Sequence, residues 1–281
     1  MDELRPILLV DAKNLMYRAI FANRGGSQKR YHHFTVMLRF IWQWVDKFKP
    51  SSINIFWDSK RDNVWRRKVF DGYKRREEDE HREDIGEELI YTQSAAIAVF
   101  KHMGVHQFKK DRMEADDLIY SACRVLSPCP IIICSTDNDY LQIVWRMQNV
   151  RLFDPQNTKF KDAPDHNPVV AKALAGDKTD KIDGYVGIGP VKSAKMARSL
   201  QERQAFLTEN GRRKFIRNVL LVDLSLCPEL LKNDLYVENI LCKKTLFDKK
   251  EVFNEAKKHH VTGLATEFSR IITPFKLILE K

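Results

Sequence analysis

Four short apolar runs, each followed within three residues by an aspartate, constrain this chain most. Ile7–Val10 ends at Asp11, Ile53–Trp57 at Asp58, Ile131–Cys134 at Ser135-Thr136-Asp137, and Val150–Phe153 at Asp154. Each run reads as a strand. Helical patterns lie between them: one from Val36 to Phe48 before Pro50, one from Ile85 to His102 ending near Gly104, and one from Met113 to Leu126 before Pro128. Strands alternating with helices imply βαβ crossovers, so the expected fold is α/β with a mainly parallel central sheet and flanking helices. In such sheets the ligand site lies beyond the carboxyl ends of the strands, where these aspartates fall. Asp154 precedes Pro155 and reads as a turn residue, outside the site.

Beyond about Asp165 the strand signals fade. Val169–Ala175, Val191–Leu200, Lys214–Leu226 and Lys249–His259 read as helices, packed on the sheet without an obvious linker. Residues 60–88 differ from both halves. Positions 60–76 hold eight basic residues and two acidic ones, and positions 77–88 hold eight acidic residues with Arg82. The segment reads either as a solvated loop with an exposed helix or as an element that closes over nucleic acid.

The acids recur. Besides Asp11, Asp58 and Asp137, the chain carries Glu114-Ala-Asp116-Asp117, Asp139, and Asp177 with Asp180. Singly, each has an ordinary role as helix cap or turn residue. Jointly, five regions place acids at strand ends, helix starts or turns, and converging carboxylates repel unless cations neutralise them. A helical turn would put Asp177 and Asp180 on one face. Just after them, Gly184, Gly187 and Gly189 allow tight turns ahead of a helix whose N–H groups suit a phosphate, with Lys192 and Lys195 beside it. Carboxylate oxygens are hard ligands suited to Mg²⁺ or Mn²⁺. Two such ions about 4 Å apart can hold a scissile phosphate and activate a water. The pattern points to metal-dependent nucleic-acid chemistry.

Composition agrees. The formal net charge is +10. Nine acids gathered at one site would leave the remaining surface still more basic, as a polyanionic substrate requires. Five cysteines without a CxxC pair indicate a reduced, intracellular protein and argue against structural zinc, and the His32-His33 and His259-His260 pairs read as surface residues. No run of 18 apolar residues occurs, and the Met-Asp-Glu start is not a signal peptide, so membrane association is not expected.

In this order the motifs resemble the 5′-nuclease superfamily of flap endonucleases and 5′-3′ exonucleases, across nearly the whole chain. They are Leu9-Val-Asp11-Ala-Lys-Asn-Leu15, Asp58, Tyr73-Lys74, Glu114-Ala-Asp116-Asp117, Ser135-Thr-Asp137-Asn-Asp139, and Gly176-Asp177 through Asp180 to Gly187-Ile188-Gly189. The length and Arg217–Leu224 look most like a phage-encoded member. The resemblance implies that Asp11, Asp58, Glu114 and Asp116, with Asp117 beside them, hold a first Mg²⁺. Asp137, Asp139, Asp177 and Asp180 would hold a second, with Mn²⁺ able to substitute. It implies a helical arch over residues 60–88 through or under which a 5′ single strand passes. Tyr73, Lys74, Arg75 and Arg76 would contact that strand, with Lys74 and Arg76 acting on the scissile phosphate. The family's usual Tyr-Lys-x-Asn-Arg is Tyr73-Lys74-Arg75-Arg76 here, so the arginine is either Arg75 or Arg76, and one deleted residue favours Arg76.

The resemblance also implies two regions. Residues 1–164 form the nuclease core, and residues 165–281 form a helical DNA-binding region. The latter would contain a helix-two-turn-helix at about 174–200 that grips duplex phosphates through Gly187, Ile188, Gly189, Lys192 and Lys195, often with K⁺. The expected activity is hydrolysis of 5′-flap, branched or 5′-ended duplex DNA, and of RNA primers in RNA:DNA hybrids, during replication. The expected setting is a monomer in the cytoplasm, that of the infected host if phage-encoded, working alongside replication proteins. Two rivals stand beside this reading. One is an RNA-cleaving nuclease of the related PIN type; the other is a non-catalytic DNA-junction binder.

Overall fold

The computed structural model of the protein describes residues 4–22, 32–75, 83–261, 271–273, 275, 276 and 278. Its sheet has six strands in the order β3-β2-β1-β4-β5-β6. These are β1 (Ile7–Asp11), β2 (Ser52–Phe56), β3 (His106–Phe108), β4 (Ile131–Cys134), β5 (Val150–Asp154) and β6 (Lys159–Lys161). The pairs from β3 to β5 are parallel, and β6 alone pairs antiparallel, on β5. β1 lies between β2 and β4, with Leu8 opposite Ile53 on one side and Ile132 on the other. Every residue of β1 is buried.

Both faces of β1 are covered, which is why its sequence is continuously apolar. Leu8 and Val10 pack against α1 (Ala12–Ala22), α2 (His33–Phe48) and α4 (Glu83–Phe100). Ile7 and Leu9 pack against α5 (Ala115–Val125), α6 (Leu141–Arg146) and α11 (Leu230–Leu241). Val252 and Ala256 of α12 (Lys249–Lys258) join the first of these cores. The helical half is therefore built into both layers that sandwich the sheet.

The first part of the basic segment, Arg61–Tyr73, is anchored. After a 3-10 turn at Arg61–Asn63, Val64 and Trp65 are each 3% exposed and Tyr73 is 1% exposed, around the short helix α3 (Arg66–Val69). Val64 and Tyr73 share a core with Val169, Ile182, Leu221 and Val222, which ties this segment to α7 (Pro168–Ala175) and α10 (Arg213–Val222). Residues 76–82, including Arg76, lie outside the described residues. The predicted helix over Lys214–Leu226 divides: α10 ends at Val222, and Leu224–Leu226 is a 3-10 turn capped by Asp223.

Asp177 and Asp180 do not sit on a helical turn. Gly176–Asp177 (β7) and Ile182–Asp183 (β8) form a two-stranded hairpin. A Cβ on Gly176 would meet the Gly184 nitrogen at 2.3 Å, and one on Gly184 would meet the Ala175 carbonyl oxygen at 2.0 Å, so only glycine permits this close backbone contact. After the hairpin the chain turns through Gly187, at φ 73°, into α8 (Pro190–Arg198). α9 (Leu200–Asn210) follows, and Leu174, Tyr185, Ile188 and Leu207 hold this region together.

Candidate active site

The carboxyl edge of the sheet opens into a cleft of about 990 Å³. Asp11, Asp58, Glu114, Asp116, Asp137 and Asp180 all line it, with Lys74, Arg75 and Lys181. Asp11 ends β1, where its carboxylate accepts the Asn14 N–H at 3.0 Å and the Tyr140 hydroxyl at 3.0 Å. Asp58 lies just beyond β2, accepts the Ala115 N–H at 2.8 Å and pairs with Lys13 at 2.5 Å. Glu114 is the N-cap of α5, whose first turn carries Asp116 and Asp117, a placement the helix dipole favours.

Glu114 and Asp117 meet a cation the sequence reading passed over. Arg66 is 1% exposed. Its guanidinium donates to Glu114 at 2.7 Å, to both Asp117 oxygens at 2.9 and 3.0 Å, and through Nε to the Leu221 carbonyl at 2.9 Å. Burial opposes its charge, but Asp116, Asp117 and Glu114 hold it firmly protonated. Asp117 also accepts from Trp65 Nε1 at 3.0 Å and from the Glu114 N–H at 3.1 Å, and it does not line the cleft. Both of its oxygens are thus committed to structural hydrogen bonds, and it is fully buried.

Lys74 bridges the two acid groups. Its ammonium lies 2.6 Å from Glu114 and 3.6 Å from Asp180, and its backbone N–H donates to the Asp180 carbonyl at 2.9 Å. Tyr73 donates to Glu114 at 3.0 Å. Burial works against ionising Glu114, yet Lys74 and Arg66 hold its carboxyl down at about 2. Asp11 is moved the other way, by burial and by Asp58, and Asp116 is raised well above the usual carboxylate range by burial against the opposing charge of Arg66, with Asp117 and Glu114 adding to the rise. Asp137 is pushed up to about 7 by loss of hydration and by Asp139, although its place on the open cleft wall lets solvent moderate the effect.

Asp139, Asp177 and Asp180 form a second group, with ligand oxygens within 4.8 Å of one another; Glu114, Asp116 and Asp117 form the first on the same measure. Asp177 takes its place because its carboxylate accepts the Thr179 and Asp180 N–H groups at 2.7 and 3.2 Å inside the hairpin turn. Lys172 reaches in from α7, pairing with Asp139 and, at 2.5 Å, with Asp177. A lone lysine within the apolar run Val169–Ala175 was the available signal for it. Asp154 stays out of the site, as its sequence context implies: its carboxylate accepts the Gln156 N–H at 2.8 Å and the Asn157 amide at 2.9 Å. Hard oxygen donors in two tight groups, several of them reluctant to ionise without a nearby cation, fit divalent ions.

Apolar and aromatic side chains also line the cleft: Tyr17 and Phe21 of α1, which stack with ring centroids 6.2 Å apart and planes 15° from parallel, and Ile85 and Leu89 of α4. α8 begins at Pro190 after Gly189, so no N-cap side chain satisfies the first N–H groups of the helix. Lys192 is exposed there, while Lys195 pairs with Glu202 at 3.2 Å.

Comparison with known proteins places this geometry. The family described as 5′-3′ exonuclease, N-terminal resolvase-like domain, matches residues 6–173. The flap endonuclease Xni of Shewanella denitrificans is 27% identical over 202 residues, covering 68% of this chain and 76% of its own. The crystal structure of the T5 D15 protein with metal ions superposes with a TM-score of 0.68 at 18% identity, over 91% of this chain and 98% of that one. A complex of the bacteriophage T5 D15 flap endonuclease with DNA and metal ions, also 18% identical, gives 0.60 over 99% and 100%. At such identity the two structures establish the likeness of fold.

Proposed function

Because this chain belongs to the 5′-3′ exonuclease family, we propose that it is a divalent-metal-dependent 5′ nuclease. It hydrolyses phosphodiesters of 5′-flap, branched or 5′-ended duplex DNA, and of RNA primers in RNA:DNA hybrids, during replication. The observation that carries this reading is the convergence of six carboxylates and Lys74 on one cleft at the carboxyl edge of the sheet. Asp11, Asp58, Glu114 and Asp116 are the residues that would hold one Mg²⁺ or Mn²⁺; Asp137, Asp139, Asp177 and Asp180 would hold a second. When bound, such ions supply an activated water and positive charge on the phosphate.

The chain's own residues orient the rest. Lys74, kept protonated against burial by Glu114 and Asp180, presents its ammonium to the scissile phosphate. Tyr73 and Arg66 fix Glu114, and Arg66 fixes Asp117, which acts as a positioning residue rather than a ligand. The Tyr17–Phe21 pair gives the displaced base an aromatic surface.

Residues 60–88 serve as the arch, with Arg75 or Arg76 on the 5′ strand. The stretch at about 174–200 serves as a helix-two-turn-helix. There Gly187, Ile188, Gly189, Lys192 and Lys195 meet duplex phosphates, with K⁺ at the turn. On this reading residues 1–164 cut and residues 165–281 grip, in a monomer that works with replication proteins in the cytoplasm. Fold likeness to the T5 protein favours a phage-type member, while the matching flap endonuclease is bacterial. A direct comparison of substrates tests the proposal. A 5′-flap duplex should be cleaved with Mg²⁺ far faster than single-stranded RNA of the same sequence; the reverse order would favour the RNA-cleaving relative.

A further inference from the structure

Two lysines on the cleft wall hold left-handed backbone conformations: Lys74 at φ 50° and Lys181 at φ 58°. They abut each other, since the Lys74 N–H donates to the carbonyl of Asp180, the residue just before Lys181. At Lys181 the turn accounts for the dihedral. The Lys181 N–H returns toward the Lys178 carbonyl at 3.4 Å, and the chain must then swing into β8. Glycine or asparagine meets that demand at little cost, whereas a long side chain there is strained. Turn geometry thus explains the conformation and leaves the choice of lysine unexplained.

The surroundings supply the reason. Asp180 pairs with Lys74, and Asp177 with Lys172, so the neighbouring acids already have their cations. Lys181 is exposed and makes no side-chain hydrogen bond or ion pair among the described residues. Lys13 is committed to Asp58, and Arg75 lies 3.3 Å from Asp71. Lys181 is therefore a cation held by a strained turn on the wall of a cleft, one residue from Asp180 and without a counter-ion among the described residues.

We propose that Lys181 binds a substrate phosphate adjacent to the one that meets Lys74, fixing how far the 5′ strand advances into the cleft. This inference rests on the 5′-nuclease reading. Lys181 acts in binding and register, and Lys74 acts on the phosphate being cleaved.

The test measures binding of a 5′-flap DNA and of a blunt duplex of the same sequence, without divalent cations, across a salt series. Lys181→Ala should weaken flap binding by about three- to tenfold and reduce the log–log salt slope by about one, leaving the blunt duplex unchanged. Lys181→Arg should restore the flap affinity. Lys181→Gly should show the same affinity loss with an equal or higher Tm, because the backbone strain is relieved. With Mg²⁺, the lost register should appear as a wider scatter of cleavage positions on the flap in Lys181→Ala than in the wild type, restored by Lys181→Arg. Wild-type flap affinity and slope in the alanine and glycine variants would overturn the proposal, as would an equal loss on both DNAs. A wild-type protein that itself fails to prefer the flap would instead overturn the 5′-nuclease reading, and this inference with it.

Discussion

Replacing Arg66 with methionine isolates the charge that holds the first acid group together. Methionine occupies much of the same volume, so the cost is mainly electrostatic. Four hydrogen bonds disappear: one to Glu114, two to Asp117 and one to the Leu221 carbonyl. Glu114 keeps Lys74 at 2.6 Å, but Asp117, which is 0% exposed, loses the cation that pairs with it. Leaving one partner of a buried pair uncompensated costs about 3–5 kcal/mol, which lowers Tm by roughly 5–9 °C for a chain of this size. The assay is urea and thermal unfolding in EDTA, repeated with the Arg66→Met/Asp117→Asn double variant. Neutralising Asp117 should recover part of the loss, because the stranded charge is gone. Mg²⁺ should also narrow the gap, since a cation bound to the folded acids stabilises that state. An Arg66→Met protein within about 1 kcal/mol of wild type would refute the reasoning. So would a double variant no more stable than the single one.

Further outcomes follow from the other cations and acids. Lys172→Met removes the charge shared by Asp139 and Asp177, so titration calorimetry should find the second divalent ion bound at least about tenfold more tightly, since like charges repel at close range; unchanged affinity would mean the lysine does not compete at that position. Lys74→Ala should lower single-turnover cleavage by roughly 10²-fold while affinity changes by less than about tenfold; a defect confined to affinity would make Lys74 an ordinary binding residue. Asp11 and Asp116 have folded-state carboxyls raised above the unfolded value, by burial and then by neighbouring acids in Asp11 and despite Arg66 in Asp116. Such groups bind protons more tightly when folded. Stability in EDTA should therefore fall as pH rises from about 4, where unfolded carboxyls ionise, toward 7. Mg²⁺ should reverse that slope and release protons on binding, visible as a buffer-dependent binding enthalpy; a flat profile in EDTA would mean these acids are well solvated.

The strands that carry Asp11, Asp58 and Asp137 were legible because strands buried on both faces leave unbroken apolar runs, and a site at their carboxyl edge demands polar residues next. The three-residue strand β3 and the Lys-Phe-Lys strand β6 were not, since an edge strand needs little apolar surface and three residues carry no period. α9 and α11 were missed as well; exposed leucines among the charges, Leu200 in α9 and Leu231 and Leu235 in α11, blur the helical repeat. The Asp177–Asp180 spacing suits a helical turn and a tight hairpin equally, and the Gly176–Gly184 backbone contact decides for the hairpin. Arg66 and Lys172 escaped for a different reason. Their partners lie 51 residues away, for Arg66 and Asp117, and 33 away, for Lys172 and Asp139. A buried cation looks like any surface lysine or arginine until the chain is folded around it.

Product mapping on a 5′-labelled flap duplex, with and without Mg²⁺, tests the central claim most directly. With Mg²⁺, short 5′-labelled products should appear from cuts at or near the junction of the flap and the duplex. In EDTA, and with Asp180→Asn in Mg²⁺, they should fall by at least about 10²-fold while the DNA remains bound. Undiminished cleavage in EDTA, or equal cleavage by the Asp180→Asn protein, would contradict a metal-dependent site built on these carboxylates.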